Sequence, residues 1–299
     1  MMKVLIVIYE FPPVGGGAGQ AVMNFCKFLD SSSCSVDVVT SNGNSYKEFL
    51  VNSAQIYSLP VKRKNVHQTG VFGMLSFLFK AYFKIRRLHK KKKYDLIHYY
   101  FSVPTGILSL FLDKSIPYIV SLRGGDVPGY NPGEFQLLHK LLLPVNKKIW
   151  EKAKLVTVIS NDLGKKAKSL YKNLQYYVRH NGVDIDVFYP YEKKIGKEKD
   201  TFLILCVTRL APWKGLETLL KAMHKLSISN YKLLIIGTGV LKNKLKKMIE
   251  EMQLHHNVTM IGSKKQQELI EYYNAADIFV LPSEGDSFGN VYCEAMACG

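Results

Sequence analysis

The segment TRLAPWKG puts two cations, Arg209 and Lys214, on one short stretch directly after an apolar run. Two positive groups at the carboxyl end of a strand can neutralise a diphosphate, and Arg can bind two of its oxygens at once. The plainer alternative is a pair of solvated surface charges; the position on the loop and the following Gly215, opening a helix, favour function. The closing segment EGDSFGNVYCEAMACG carries two acids eight positions apart, Asp286 and Glu294. Gly285 and Gly289 are expected to turn the backbone tightly into a helix starting near Asn290. The amides of Phe288, Gly289, Asn290 and Val291 would then form a cradle for an anion or hydroxyl. Glu294, about one turn into that helix, can accept two sugar hydroxyls, and Asp286 sits in the turn beside whatever the cradle holds. In isolation this pattern is equally ordinary helix capping.

The turn EFPPVGGGAGQ follows the first apolar run. Its glycines permit close backbone approach, and the next helix offers free N–H groups and a positive dipole end to an anion, unless the stretch is only a flexible turn. A dinucleotide fingerprint would require an acid near the end of the second strand, and VDVVTSNGNSY has none after Thr40. Asp184-x-Asp186 has a spacing that could ligate a divalent metal with a diphosphate. If Arg209 and Lys214 already balance the phosphates no metal is required, so the two acids are assigned to a structured loop.

These residues need strands and helices to position them. VLIVIY, SVDVVT, YDLIHYY, IPYIVSL and AKLVTVIS read as strands separated by helical stretches, the pattern of a parallel sheet covered on both faces. The charged run YPYEKKIGKEKD marks a change: a first domain over 1–190, a linker at 191–200 and a second domain over 201–299. In the second, TFLILCVTRL, KLLIIGTG, NVTMIG and ADIFVLPS read as strands. Leu216, Leu219, Leu220 and Met223 mark the inner face of one helix, and Leu241, Leu245, Met248, Ile249 and Met252 that of another. The expected architecture is two doubly wound α/β units with a cleft between them, the chemistry lying at the carboxyl ends of strands.

A chain of 299 residues with 41 basic and 24 acidic residues carries a net charge of +17, which attracts an anionic partner without naming it. Five scattered cysteines without a C-x-x-C pair argue against a disulfide framework or zinc site and for reduced thiols in a cytosolic protein. The apolar run Val4 to Ile8 is too short for a signal peptide or a membrane span. VFGMLSFLFKAYFKIRRLHKKKK, residues 71 to 93, has eight Lys or Arg and no acid. Met74, Leu75, Leu78, Tyr82 and Ile85 are its expected apolar stripe, widened by Phe77, Phe79 and Phe83. The helix either packs on the first domain with a solvated basic end or lies on an anionic membrane surface, where each cation adds about 1 kcal/mol. Nucleic acid is disfavoured, because no nucleic-acid-reading motif accompanies the charge.

Five segments in order, FPPVGGG, RGGD, HNGVDIDVF, TRLAPWKG and DSFGNVYCEAMACG, resemble the family-4 glycosyltransferases along essentially the whole chain. The last is similar to that family's E-x7-E motif, with Asp286 in place of the first Glu. The resemblance implies the GT-B fold of two Rossmann-like domains facing a cleft. It implies sugar transfer from a nucleotide-sugar donor, UDP- or GDP-linked, with retention at the anomeric carbon and without a metal or other cofactor. It implies that Arg209 and Lys214 stabilise the departing diphosphate, that Glu294 binds the donor ribose, and that Asp286 lies against the transferred sugar. Gly16 and Gly17 match the N-terminal loop, and Asp126 is as expected. Arg123 stands where many members have a His. Members elongating lipid-linked glycans often sit at the cytoplasmic membrane face, which implies a glycan or lipid-linked acceptor, surface polysaccharide synthesis and peripheral association through residues 80–93. Members continue beyond EAMACG with a Pro-Val strand and further helices, so the second domain is expected to be incomplete and the chain alone impaired. The alternative is a relative that binds a nucleotide or partner without turnover.

Overall fold

A computed structural model of the chain describes residues 1–43, 45–62, 70–130, 141–191, 201–228 and 230–299. It divides into two compact units, Met1–Asn181 and Gly182–Gly299. The division falls ahead of the boundary read from the charged run. Residues 182–190 belong to the second unit because Phe188, fully buried, packs into a core with Leu205, Val207, Ile236 and Tyr273. The expected linker, apart from Tyr191, lies outside the described residues.

In the first unit, β1 (Met2–Val7), β2 (Cys34–Asn42), β3 (Lys47–Val51), β4 (Ala54–Pro60), β5 (Leu96–Tyr100), β6 (Tyr118–Leu122), β7 (Leu155–Val158) and β8 (Tyr177–Val178) form one sheet in the order β3-β4-β2-β1-β5-β6-β7-β8. All neighbours are parallel except β3 and β4. Strand β1 is buried over its last four residues, as a central strand covered on both faces must be. Its successor in the chain, β2, lies on one side and β5 on the other, so the strand order reverses beside β1 and opens a crevice at its carboxyl end. The hairpin β3-β4 is absent from the sequence reading. Its signal is Asn52, which adopts φ +51° in a two-residue loop between the paired Val51 and Ala54.

The basic stretch forms a helix, Val71–Lys92, as expected, but its inward face differs from the expected stripe. Gly73, Phe77, Ala81, Ile85 and Leu88 are buried, whereas Leu75, Phe79 and Phe83 point outward with Phe72. Gly73 and Ala81 are on the inward face, and counting only large apolar residues places the stripe elsewhere.

The second unit holds β9 (Phe202–Val207), β10 (Tyr231–Ile236), β11 (Val258–Gly262) and β12 (Ile278–Phe279), parallel and ordered β11-β10-β9-β12. Alternate residues of β9 enter opposite cores. Ile204 and Cys206 pack with Leu216, Leu219, Leu220 and Met223 of the Leu216–His224 helix and with Leu245 and Ile249 of the Lys242–Glu251 helix. Leu205 and Val207 pack against Leu269 and Tyr273 of the Gln266–Ala275 helix. Both helical faces expected from periodicity are therefore inward. The order reverses again beside β9, between β10 and β12.

Candidate active site

Within the second unit, the loop after β9 and the segment after β12 are stitched together. Gly215 adopts φ +67°, and a Cβ there would stand 1.8 Å from the Pro282 carbonyl oxygen, so only glycine lets the two backbones meet. The Trp213 carbonyl accepts the Glu284 N–H at 3.0 Å and the Ser283 hydroxyl at 3.2 Å. On this frame Lys214 is buried and its Nζ donates to Asp286 Oδ2 at 2.5 Å. Arg209 is exposed, its guanidinium 5.8 Å from the centre of the Trp213 ring. Three charged residues singled out by the sequence are thus brought to the carboxyl ends of adjacent strands. The Lys214–Asp286 pair with Arg209 beside it is a charged arrangement able to meet an anionic group.

Gly289 adopts φ +78° and leads into the Asn290–Ala297 helix. A Cβ on it would meet the Tyr292 ring at 2.5 Å, and the Tyr292 hydroxyl in turn donates to the Leu281 carbonyl at 2.6 Å. Gly285 differs from expectation: its φ is not positive and the space around its Cβ position is open, so Gly289 alone of the two is sterically required. Phe288, Asn290 and Val291 are half-buried around this turn. Glu294 is buried and accepts a hydrogen bond from the Tyr273 hydroxyl at 2.9 Å. Burial raises its carboxyl pKa, while the bonds from Tyr273 and Gln266 oppose that rise.

The first unit has its own polar cluster beside the strand-order reversal. Gly15 takes φ +99°, and a Cβ on it would lie 2.4 Å from Glu10 Cβ. Gly16 precedes the Gly17–Lys27 helix and its N–H donates to Glu10 Oε2 at 3.2 Å. The amide expected to be open to an external anion is therefore engaged by an internal carboxylate. Asp126 is buried, and its two oxygens accept the N–H groups of Ser102, Arg123 and Gly124 at 2.6, 2.9 and 3.1 Å. Burial raises its pKa and these bonds oppose the rise. Arg123 donates from its guanidinium to Asn181 Oδ1 at 2.5 Å and stands over the Tyr100 ring at 5.2 Å. Its Nε is buried without a hydrogen bond among the described residues. Burial lowers its pKa, an effect countered by Tyr100, Asp126 and Glu10.

Asp184 is buried and Oδ1 accepts the Asp186 N–H at 3.1 Å, as in a structured loop. Among the described residues no group of three or more His, Cys, Asp or Glu could share a metal ion. Sequence reading missed Tyr273, Gln266, Trp213 and Asn181 as neighbours of the site. For Tyr273 and Gln266 the available signal was their seven-residue spacing, which puts both on one helical face.

Comparison with known proteins places the chain in a family. The family model described as Glycosyltransferase Family 4 matches residues 15–187, and that of Glycosyl transferases group 1 matches residues 189–299. An uncharacterized glycosyltransferase of Methanocaldococcus jannaschii is 27% identical over 100% of this chain and 79% of its own length. A GDP-mannose-dependent monoacylated alpha-(1-6)-phosphatidylinositol monomannoside mannosyltransferase of Corynebacterium glutamicum is 26% identical over 99% of this chain and 78% of its own. Among solved structures, sucrose-phosphate synthase of Thermosynechococcus elongatus superposes with a TM-score of 0.84 at 23% identity, over 100% of this chain and 80% of that one. The α/β fold with parallel sheets is that of the GT-B glycosyltransferases.

Proposed function

Because this chain belongs to glycosyltransferase family 4, we propose that it moves a sugar from a UDP- or GDP-linked donor to a glycan or lipid-linked acceptor in surface polysaccharide synthesis. Transfer retains the anomeric configuration and uses no metal. The observation that carries this reading is the buried Lys214, beside Arg209 and paired with Asp286 at the carboxyl ends of β9 and β12. As the bond between sugar and diphosphate breaks, its electron pair goes to the diphosphate oxygens, and Arg209 and Lys214 neutralise that charge. The acceptor hydroxyl forms the new bond at the anomeric carbon and its proton leaves with the diphosphate. Asp286 accepts a hydroxyl of the sugar, Glu294 the ribose hydroxyls, and the turn from Phe288 to Val291 supports the donor. In the first unit the Gly16–Gly17 turn, Arg123 and Asp126 serve the substrate. The mannosyltransferase relative is by name GDP-mannose-dependent and acts on a glycolipid, which supports a nucleotide-sugar donor and a lipid-linked acceptor here.

The test is a melting panel of the 299-residue chain with UDP, GDP, ADP and NAD, followed by transfer assays with the sugars of the base that binds. At a hundredfold excess over its dissociation constant, the right nucleotide adds about 2.7 kcal/mol, a shift of several degrees. Lys214→Met should abolish it. Binding without transfer to any acceptor supports the non-catalytic alternative, and a shift with NAD alone overturns the donor assignment.

Contact with the cytoplasmic face of a membrane is part of the same proposal. No described helix is long and apolar enough to cross a membrane. Within residues 80–93, Lys80 donates to the Pro60 carbonyl, Lys84 pairs with Glu48, and Lys92 pairs with the buried Asp37. The face that would meet lipid is therefore the exposed Phe72, Leu75, Phe79 and Phe83, continued by exposed Arg86, Arg87 and Lys90. Vesicles containing anionic lipid should sediment the protein and neutral vesicles should not. Undiminished binding by a Phe79→Ser/Phe83→Ser variant would refute this contact.

A further inference from the structure

Tyr273 and Gln266 lie seven residues apart on the Gln266–Ala275 helix, close to two full turns, and so share one face. Both reach the carboxylate of Glu294 on the Asn290–Ala297 helix, Tyr273 through a 2.9 Å hydrogen bond to Oε2 and Gln266 through its side-chain amide. Tyr273 is itself held from two sides, with the Phe188 and Phe279 rings each centred 5.8 Å from its own. Its hydroxyl therefore has little freedom to follow Glu294 elsewhere. A carboxylate offers about four acceptor positions, and two neutral donors leave capacity for further hydroxyls.

We propose that Tyr273, seconded by Gln266, is a positioning residue of the donor site, fixing the Glu294 carboxylate in the orientation that accepts the two ribose hydroxyls. This rests on the donor reading given above. Removing the phenol oxygen alone frees the carboxylate to turn and leaves the ring packing in place. It also takes away a donor that helps to keep a buried carboxylate ionised, and only the ionised form accepts two hydroxyls at full strength.

The measurement compares binding of UDP and GDP with binding of their 2′,3′-dideoxy counterparts, in the wild-type 299-residue chain and in Tyr273→Phe. Wild type should prefer the ribonucleotide by about tenfold or more, the size of a hydrogen bond to a charged group. Tyr273→Phe should bring that preference near parity while the dideoxynucleotide binds as before. The pH at which the preference fades should move upward in the variant. Gln266→Leu, a change at a half-exposed position in the first turn, should give a smaller loss of the same kind and guards against misfolding of the first variant. A preference unchanged in both variants overturns the proposal. Equal weakening of both nucleotides by Tyr273→Phe also overturns it, because that marks a merely structural role. If the wild type does not distinguish the two sugars, or if Glu294→Gln leaves the preference intact, the assignment of Glu294 fails and the positioning role falls with it.

Discussion

Lys214 is buried and pairs with Asp286 at 2.5 Å, so replacing Asp286 by Asn leaves an ammonium without its carboxylate. Loss of one partner from a buried pair costs about 3–5 kcal/mol, less here because the Asp286 side chain is 27% exposed. Urea unfolding of Asp286→Asn should show that loss, and a bound nucleoside diphosphate should restore most of it by supplying the missing negative charge. In the first unit, burial, with the Arg123 guanidinium beside it, pushes the His98 imidazole down to about 3. The unfolded chain takes up this proton near the ordinary value of 6.5 and the folded chain does not until near 3. Stability therefore falls as pH drops through that window, by up to about 1.4 kcal/mol per pH unit. His98→Gln should flatten this part of the stability profile. The candidate charges themselves were legible from their loops. Their pairing was not, because Lys214 and Asp286 are 72 residues apart and meet only once β9 and β12 are neighbours.

The loops after β9, β10 and β12 are locked by glycines whose roles differ. Gly237 adopts φ +146° at the end of β10, and a Cβ there would lie 1.8 Å from the Thr208 carbonyl oxygen, next to Arg209. Gly237→Ala should lower stability by about 3 kcal/mol or more and weaken nucleotide binding with it, since backbone must move. Gly285→Ala, in open space, should stay within about 0.5 kcal/mol. Denaturant melts of the two variants side by side check the contrast. Glycine content alone does not separate these positions, because the difference is set by which carbonyl approaches in three dimensions. The same limit explains the rotated helix face. Gly73 and Ala81 are inward, while Phe72 and Phe79, more hydrophobic than either, are not.

Each unit carries one of the two tryptophans, Trp150 buried in the first and Trp213 beneath the Arg209 guanidinium in the second. In a Trp150→Phe background, fluorescence reports the second unit alone. Titrating the preferred nucleoside diphosphate should change the Trp213 emission and raise the melting temperature it reports by several degrees. An unchanged signal at saturating nucleotide would place the binding site away from Arg209. The alternation of strands and helices made two α/β units readable over the whole chain. The boundary read from the charges lies later than the division into units, because a run of charges is conspicuous in sequence whereas the buried Phe188 ahead of it is one apolar residue among many.

The ion pair between Lys214 and Asp286 has a consequence for the choice among anions. An empty cationic pocket would collect inorganic phosphate or chloride. On the donor reading proposed above, Asp286 is a tethered anion already set against Lys214, present there at a high effective concentration. A ligand displaces it only by bringing more contacts than a lone anion can. On that reading the pair would act as a threshold, turning weak anions away and admitting a donor that brings diphosphate, ribose and sugar together.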